Sequence, residues 1–223
     1  MIPWQKLDSA AIPGEAGELR LMRRGAEFSI MLGDNELMNS RLSGSEEALA
    51  RLSCERIADR AKPHVLVGGL GMGFTLRAVL SHLGGDASVI VAELVPAVVA
   101  WAKGPMAHLV DGSLDDPRVS ITVTDVAELI RGGKAAYDAI LLDVDNGPEG
   151  LTSRANDGLY DLGGLEDARR ALRPGGVLAV WSQGPDSGFT GRLRRAGFSV
   201  DEARVRASRT GRGARHVIWI ATT

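Results

Sequence analysis

The stretch Val65-Leu66-Val67-Gly68-Gly69-Leu70-Gly71-Met72-Gly73-Phe74-Thr75-Leu76-Arg77 decides the fold. Three apolar β-formers run into a turn with four glycines in six residues, and an apolar-periodic helix, Phe74–Leu83, follows. Strand, glycine turn and helix in that order make half of a βαβ unit. The rhythm then repeats. Ser88–Glu93, Val119–Val123, Tyr137–Asp143 and Val177–Trp181 read as strands; Pro96–Lys103, Asp125–Arg131, Leu165–Leu172 and Phe189–Ala196 read as helices. Strands that are apolar almost throughout, alternating with helices, mean a parallel sheet covered on both faces. Phe198–Val205 and His216–Thr222 close the chain as an antiparallel hairpin. Upstream, Glu18–Met22, Glu27–Leu32 and Glu36–Asn39 alternate as short strands, and Ser45-Glu46-Glu47 opens a helix over Ala48–Ala61. The reading is α/β: a small N-terminal β-hairpin unit over residues 1–43, then a doubly wound, mostly parallel domain over 44–223.

The bulk properties narrow the class. The 223 residues are 44% hydrophobic and 24% charged, which fits one globular domain with a small appendage. A net charge of −2 argues against a dedicated nucleic-acid or membrane-surface protein. The single cysteine, Cys54, cannot form an internal disulfide, and the four scattered histidines have no metal-like spacing. No apolar run approaches the roughly 20 residues of a membrane span. The N-terminus lacks a basic stretch followed by an apolar one, so no signal peptide is expected. A soluble protein of a reducing, cytoplasmic compartment is the expectation.

In a doubly wound sheet, ligands sit beyond the carboxyl ends of the strands, and four such ends carry unusual residues. Gly69, Gly71 and Gly73 permit a tight turn and close backbone approach to a ligand. Their spacing departs from the dinucleotide pattern, with Phe74 at its last glycine, and suits a nucleoside without a pyrophosphate. Glu93 ends the second strand 20 residues after Gly73, where a carboxylate accepts ribose hydroxyls. Asp125 follows the third strand, placed to accept from an adenine amino group or to cap the next helix. Asp143-Val144-Asp145-Asn146 ends the fourth, and two carboxylates there are costly unless they meet a ligand. Residues 143–161 hold five acidic residues against one arginine, a rim suited to a cationic acceptor. Trp181, at the end of the fifth strand, is placed to wall the pocket. His64 and His216 open strands and read as structural. The eight arginines between Arg192 and Arg215 read as the solvated face of an edge hairpin.

Val65–Arg77, Val91–Val99, Asp116-Pro117-Arg118-Val119, Tyr137–Asp143 and Leu172-Arg173-Pro174-Gly175-Gly176, in this order, resemble the spermidine/spermine synthase family, within the class I fold of S-adenosylmethionine-dependent methyltransferases. The resemblance covers roughly residues 15–185. It implies a small N-terminal β unit before a seven-stranded Rossmann-like sheet. It also implies aminopropyl transfer from decarboxylated S-adenosylmethionine to a polyamine. By position, Glu93 would hold the ribose, Asp125 the adenine, and Asp143, with Asp145 beside it, the attacking amine. Family members often associate through the N-terminal unit, so a homodimer is an expectation.

Three positions depart from the family pattern. Met72 stands where an aspartate grips the aminopropyl amine, Ser45-Glu46-Glu47 stands near the place of a Tyr-His-Glu stretch, and Asn146 replaces a second carboxylate. Met72, Asn146 and Trp181 are therefore the expected acceptor-side residues. Because Met72 would no longer repel the carboxylate of intact S-adenosylmethionine, the sequence reading prefers methyl transfer to a small amine, without a metal. Aminopropyl transfer is its alternative, and a non-catalytic nucleoside-binding protein a second one.

Overall fold

The alternating N-terminal segment folds as a meander of four antiparallel strands: β1 (Gln5–Ala11), β2 (Glu18–Arg24), β3 (Glu27–Leu32) and β4 (Asn35–Asn39). This is seen in a computed structural model describing residues 2–14, 17–144, 147–148, 157–208 and 213–223. Leu19 and Leu21 of β2 and Phe28 and Ile30 of β3 are buried, so one face of the sheet turns to the core. Strand β1 was not expected from the sequence. Its residues are mostly exposed, and a register irregularity separates Lys6 from Asp8, so pairing with β2 defines it rather than any apolar alternation.

The helix that follows, α1 (Gly44–Arg56), begins and ends earlier than its periodicity suggested. Ile57 leaves the helix and buries its side chain. Then come β5 (His64–Gly68), α2 (Phe74–His82), β6 (Ser88–Glu93), α3 (Pro96–Lys103), α4 (Ala107–Val110), β7 (Val119–Val123), α5 (Val126–Gly132) and β8 (Tyr137–Leu142). The chain continues through α6 (Asp157–Tyr160), α7 (Leu162–Ala171), β9 (Leu172–Ser182), α8 (Ser187–Arg195), β10 (Ser199–Arg206) and β11 (Arg215–Thr222). The last seven strands form one sheet in the order β10-β11-β9-β8-β5-β6-β7. From β9 to β7 the pairing is parallel; β11 runs antiparallel between β9 and β10. This is the expected seven-stranded, doubly wound plan with a closing hairpin.

The strands sort their side chains by parity. Val65, Val67, Ala139 and Leu141 enter one apolar cluster, shared with α2, α3 and the N-terminal sheet. Leu66, Ile140 and Leu142 enter the other, against α5, α7 and α8. Alternate residues of a strand face opposite ways, so both faces must be covered. β9 starts earlier than read: its pairing with β8 jumps from Tyr137–Leu172 to Ala139–Val177, so the Arg173–Gly176 turn bulges out without ending the strand. Among the described residues, no helix is long and apolar enough to cross a membrane. The sheet order reverses between β5 and β8: the chain goes from β5 out to β6 and β7, then returns to the other side with β8. A crevice opens at such a reversal, beyond the carboxyl ends of the strands.

Candidate functional site

A cleft of about 340 Å³ lies at that reversal, with the N-terminal sheet forming its other wall. Gly69 and Gly71 line it from the β5–α2 turn, Glu93 from β6, Asp125 from the α5 cap, and Asp143 and Val144 from the end of β8. Met38 and Glu36 of β4, Ser45 and Glu46 of α1, Trp181 of β9 and His216 of β11 complete the polar and apolar walls.

The glycine turn has little choice of residue. Gly69 has φ +87°, and a Cβ there would lie 2.5 Å from the Asp143 carbonyl oxygen. Gly71 has φ +50°, and a Cβ would meet Met38 at 2.6 Å. A side chain at either place would be strained by the positive φ. Glu93 ties this turn to the sheet. Its Oε2 accepts the Leu70 N–H at 2.9 Å, and its Oε1 accepts the Val95 N–H at the same distance. The carboxyl is only 7% exposed, and burial pushes its pKa up against these hydrogen bonds. The backbone N–H groups of Gly71 and Leu94 also stabilise the carboxylate. Asp125 caps α5, accepting the Ala127 N–H at 2.8 Å, and lines the cleft as well.

Asp143 leaves β8 with its N–H on the Gly68 carbonyl. Its Oδ2 accepts the hydroxyl of Thr75, in the first turn of α2, at 2.5 Å. Burial pushes its carboxyl up to about 6, with the Thr75 hydrogen bond opposing. Glu46 is pushed up to about 7, first by burial and then by the charge of Asp143. The Ser45 hydroxyl donates to Glu46 Oε2 at 2.8 Å, and His216 Nδ1 lies 2.9 Å from the same hydroxyl. The His216 ring meets Trp181 edge-on at 4.8 Å, and burial lowers its pKa, so it is neutral at pH 7. Trp181 Nε1 is buried without a hydrogen-bond partner among the described residues.

The sequence-chosen residues therefore divide. Gly69, Gly71, Glu93, Asp125, Asp143 and Trp181 meet in one cleft. Two others do not. Met72, expected on the acceptor side, is fully buried in the core. Gly73 begins α2 at φ +78° and faces Val110, which a Cβ would strike at 2.6 Å, so its glycine serves packing. Asp145 and Asn146 lie outside the described residues. Glu46 and His216 were not chosen from sequence: the first reads as a helix opening and the second as a strand start. Among the described residues, no group of three or more His, Cys, Asp or Glu could hold a metal ion.

Known proteins resemble this chain. The family model for the spermine/spermidine synthase domain matches residues 45–186. The polyamine aminopropyltransferase of Mycobacterium tuberculosis is 31% identical over 153 residues, covering 65% of this chain and 28% of that protein. Polyamine aminopropyltransferase 1 of Streptomyces coelicolor is 37% identical over 128 residues, 55% of this chain and 23% of that protein. The chain thus spans about a quarter of the length of these relatives. The crystal structure of spermidine synthase from Thermotoga maritima superposes with a TM-score of 0.74 over 97% of this chain and 72% of that one, at 19% identity, which speaks for the fold. The relatives are named for aminopropyl transfer, so the preference for methyl transfer drawn from Met72 finds no support in them. The chain belongs to the spermine/spermidine synthase family.

Proposed function

We propose that this protein transfers an aminopropyl group from decarboxylated S-adenosylmethionine to a small amine. One observation carries the reading: five carboxylates, Glu36, Glu46, Glu93, Asp125 and Asp143, line the cleft, and among the described lining residues there is no lysine or arginine. Carboxylates in a partly dry cleft attract cations and repel anions. The decarboxylated donor carries a sulfonium and an ammonium; the intact donor adds a carboxylate that this wall disfavours.

In this reading the Gly69–Gly71 turn lets the nucleoside lie against backbone, Glu93 accepts the ribose hydroxyls and Asp125 accepts from the adenine amino group. Asp143 holds the acceptor nitrogen in line with the carbon next to sulfur and takes its proton. The nitrogen lone pair forms the new C–N bond while the C–S pair returns to sulfur, leaving a neutral thioether. A sulfonium is already a good electrophile, so orientation and proton removal are what the protein must supply. Trp181 presents an indole beside the acceptor, favourable to a cation by about 0.5–2 kcal/mol.

The test is calorimetric binding of the decarboxylated and the intact donor side by side, followed by thioether release with a series of small diamines. Tighter binding of the decarboxylated donor, with turnover, is expected. Tighter binding of the intact donor, or of neither, overturns the reading, and binding without turnover on any amine leaves a nucleoside-binding protein.

A further inference from the structure

We propose that Glu46 is the second carboxylate of a two-carboxylate base: it faces the cleft beside Asp143, and the two together take the proton of the attacking amine. The inference rests on the transferase reading above and adds to it a residue that the sequence marked only as lying near a departure from the family pattern.

Glu46 sits in the first turn of α1 and lines the cleft together with Asp143, Trp181 and His216. Its carboxylate is held. The Ser45 hydroxyl donates to Glu46 Oε2 at 2.8 Å, and His216 Nδ1 lies 2.9 Å from the Ser45 hydroxyl oxygen, completing a file from β11 through Ser45 to Glu46. Residues at opposite ends of the chain are used to fix one side chain.

The charged surroundings leave the two carboxylates to each other. On its own helix the neighbouring Glu47 adds to the repulsion. The end of β8 brings Asp143, and β11 brings neutral His216. From α2 and β9 come the uncharged Thr75 and Trp181. Glu36, Glu93 and Asp125 stand elsewhere around the cleft. β10 offers Asp201, which Arg56 takes at the far end of α1, while Arg51 and Arg206 share a separate surface hollow with Glu47. Two close carboxylates without a cation do not both ionise readily, so near neutral pH the pair retains about one proton and one negative charge. Burial holds Asp143 at about 6, and burial with the charge of Asp143 holds Glu46 at about 7, each nearer to working pH than an ordinary carboxylate and therefore a stronger base.

The balance is simple. As nitrogen attacks carbon and the C–S pair returns to sulfur, the nitrogen's proton passes to the pair. The pair goes from one proton to two and from charge −1 to neutral, and the extra proton leaves to water once the cleft opens. While substrate is bound, the same negative pair attracts a second ammonium, favouring acceptors with more than one amine.

The test uses Glu46→Gln in the full chain and two readouts. Carbon-13 NMR titration of the side-chain carboxyls, without any ligand, should show Asp143 titrating in two coupled steps in the wild type and in one step at lower pH in the variant. With donor and a diamine, kcat should fall about 100-fold, the acid limb of kcat/KM should move to lower pH, and donor KM should change little. Glu46→Asp should restore the two-step titration, which guards against a variant that merely packs badly. An Asp143 titration unchanged in Glu46→Gln overturns the proposal. A coupled titration supports the pair even if the wild type turns over no amine, an outcome that would sink only the transferase reading on which its catalytic role rests.

Discussion

Strand β8 carries an aspartate near each end, and the two are treated oppositely. Asp138 is 1% exposed, and its charge is met: Arg173 Nη1 lies at 2.6 Å, Arg60 Nη1 at 3.8 Å, and the His64 N–H donates at 2.8 Å. Asp143, five residues on, has a hydroxyl from Thr75 and a neighbouring carboxylate, with no cation paired to it among the described residues. The first end joins β8 to the start of β5 and to the Arg173 bulge of β9; the second opens on the cleft. A buried carboxylate with its partners supplied by the protein is structure, and one left without a counter-charge is available to a ligand.

The largest effect that would sharpen this contrast belongs to Asp143→Asn. The isosteric amide keeps the Thr75 contact and the fold but cannot take a proton, so turnover should fall about 100- to 10,000-fold while donor affinity stays near wild type. Undiminished turnover would break the assignment of Asp143 whatever the acceptor. Glu93→Ala comes next. Losing charge-assisted hydrogen bonds should weaken donor binding by about 2–3 kcal/mol, or roughly 30- to 150-fold. Some of that loss comes through the glycine turn, which Glu93 holds by the Leu70 N–H; Glu93→Gln, which can still accept that N–H, should recover part of it. Unaltered affinity in calorimetry would remove the ribose role.

Asp138→Ala is the reverse experiment, on the other end of the strand. Removing the acceptor leaves the His64 N–H and two partly exposed arginines without it, and urea unfolding should show a loss of about 1–3 kcal/mol. Donor binding should be unchanged, since nothing near Asp138 reaches the cleft. If donor binding fell with stability intact, the division of β8 into a structural and a functional end would fail.

The legible parts of the site are those where local sequence and topology agree. Glu93, Asp125 and Asp143 stand out because each polar residue terminates an apolar strand, and in a doubly wound sheet strand ends are where ligands go. Met72 misled because position along a turn does not fix the direction of a side chain: between Gly71 and Gly73, both at positive φ, it points into the core. Glu46 and His216 were illegible for a different reason. Each has an ordinary local role, and only the fold brings Ser45 and His216, 171 residues apart in sequence, to a shared hydrogen bond. Strand β1 was missed on similar grounds, as its exposed residues become a strand by pairing with β2.

The finest prediction concerns pH and stability, and it contrasts Asp143 with a surface aspartate. Arg118 holds the Asp116 carboxyl down to about 2, so that group stabilises the fold above its unfolded value near 4, a contribution lost as pH falls toward 2. Asp143 has the opposite sign. Its folded value of about 6 lies above the unfolded one, so the native state binds its proton more tightly. Stability owed to that proton is present below about pH 4 and is lost as pH rises through about 6. Asp143→Asn removes this loss and leaves Asp116 untouched. The melting temperature of the variant relative to wild type should therefore rise steadily between pH 4 and 7 and level off above. A difference that stayed flat across that range would mean that the folded chain gives Asp143 no cause to hold its proton, and the contrast between the two ends of β8 would then be one of position alone.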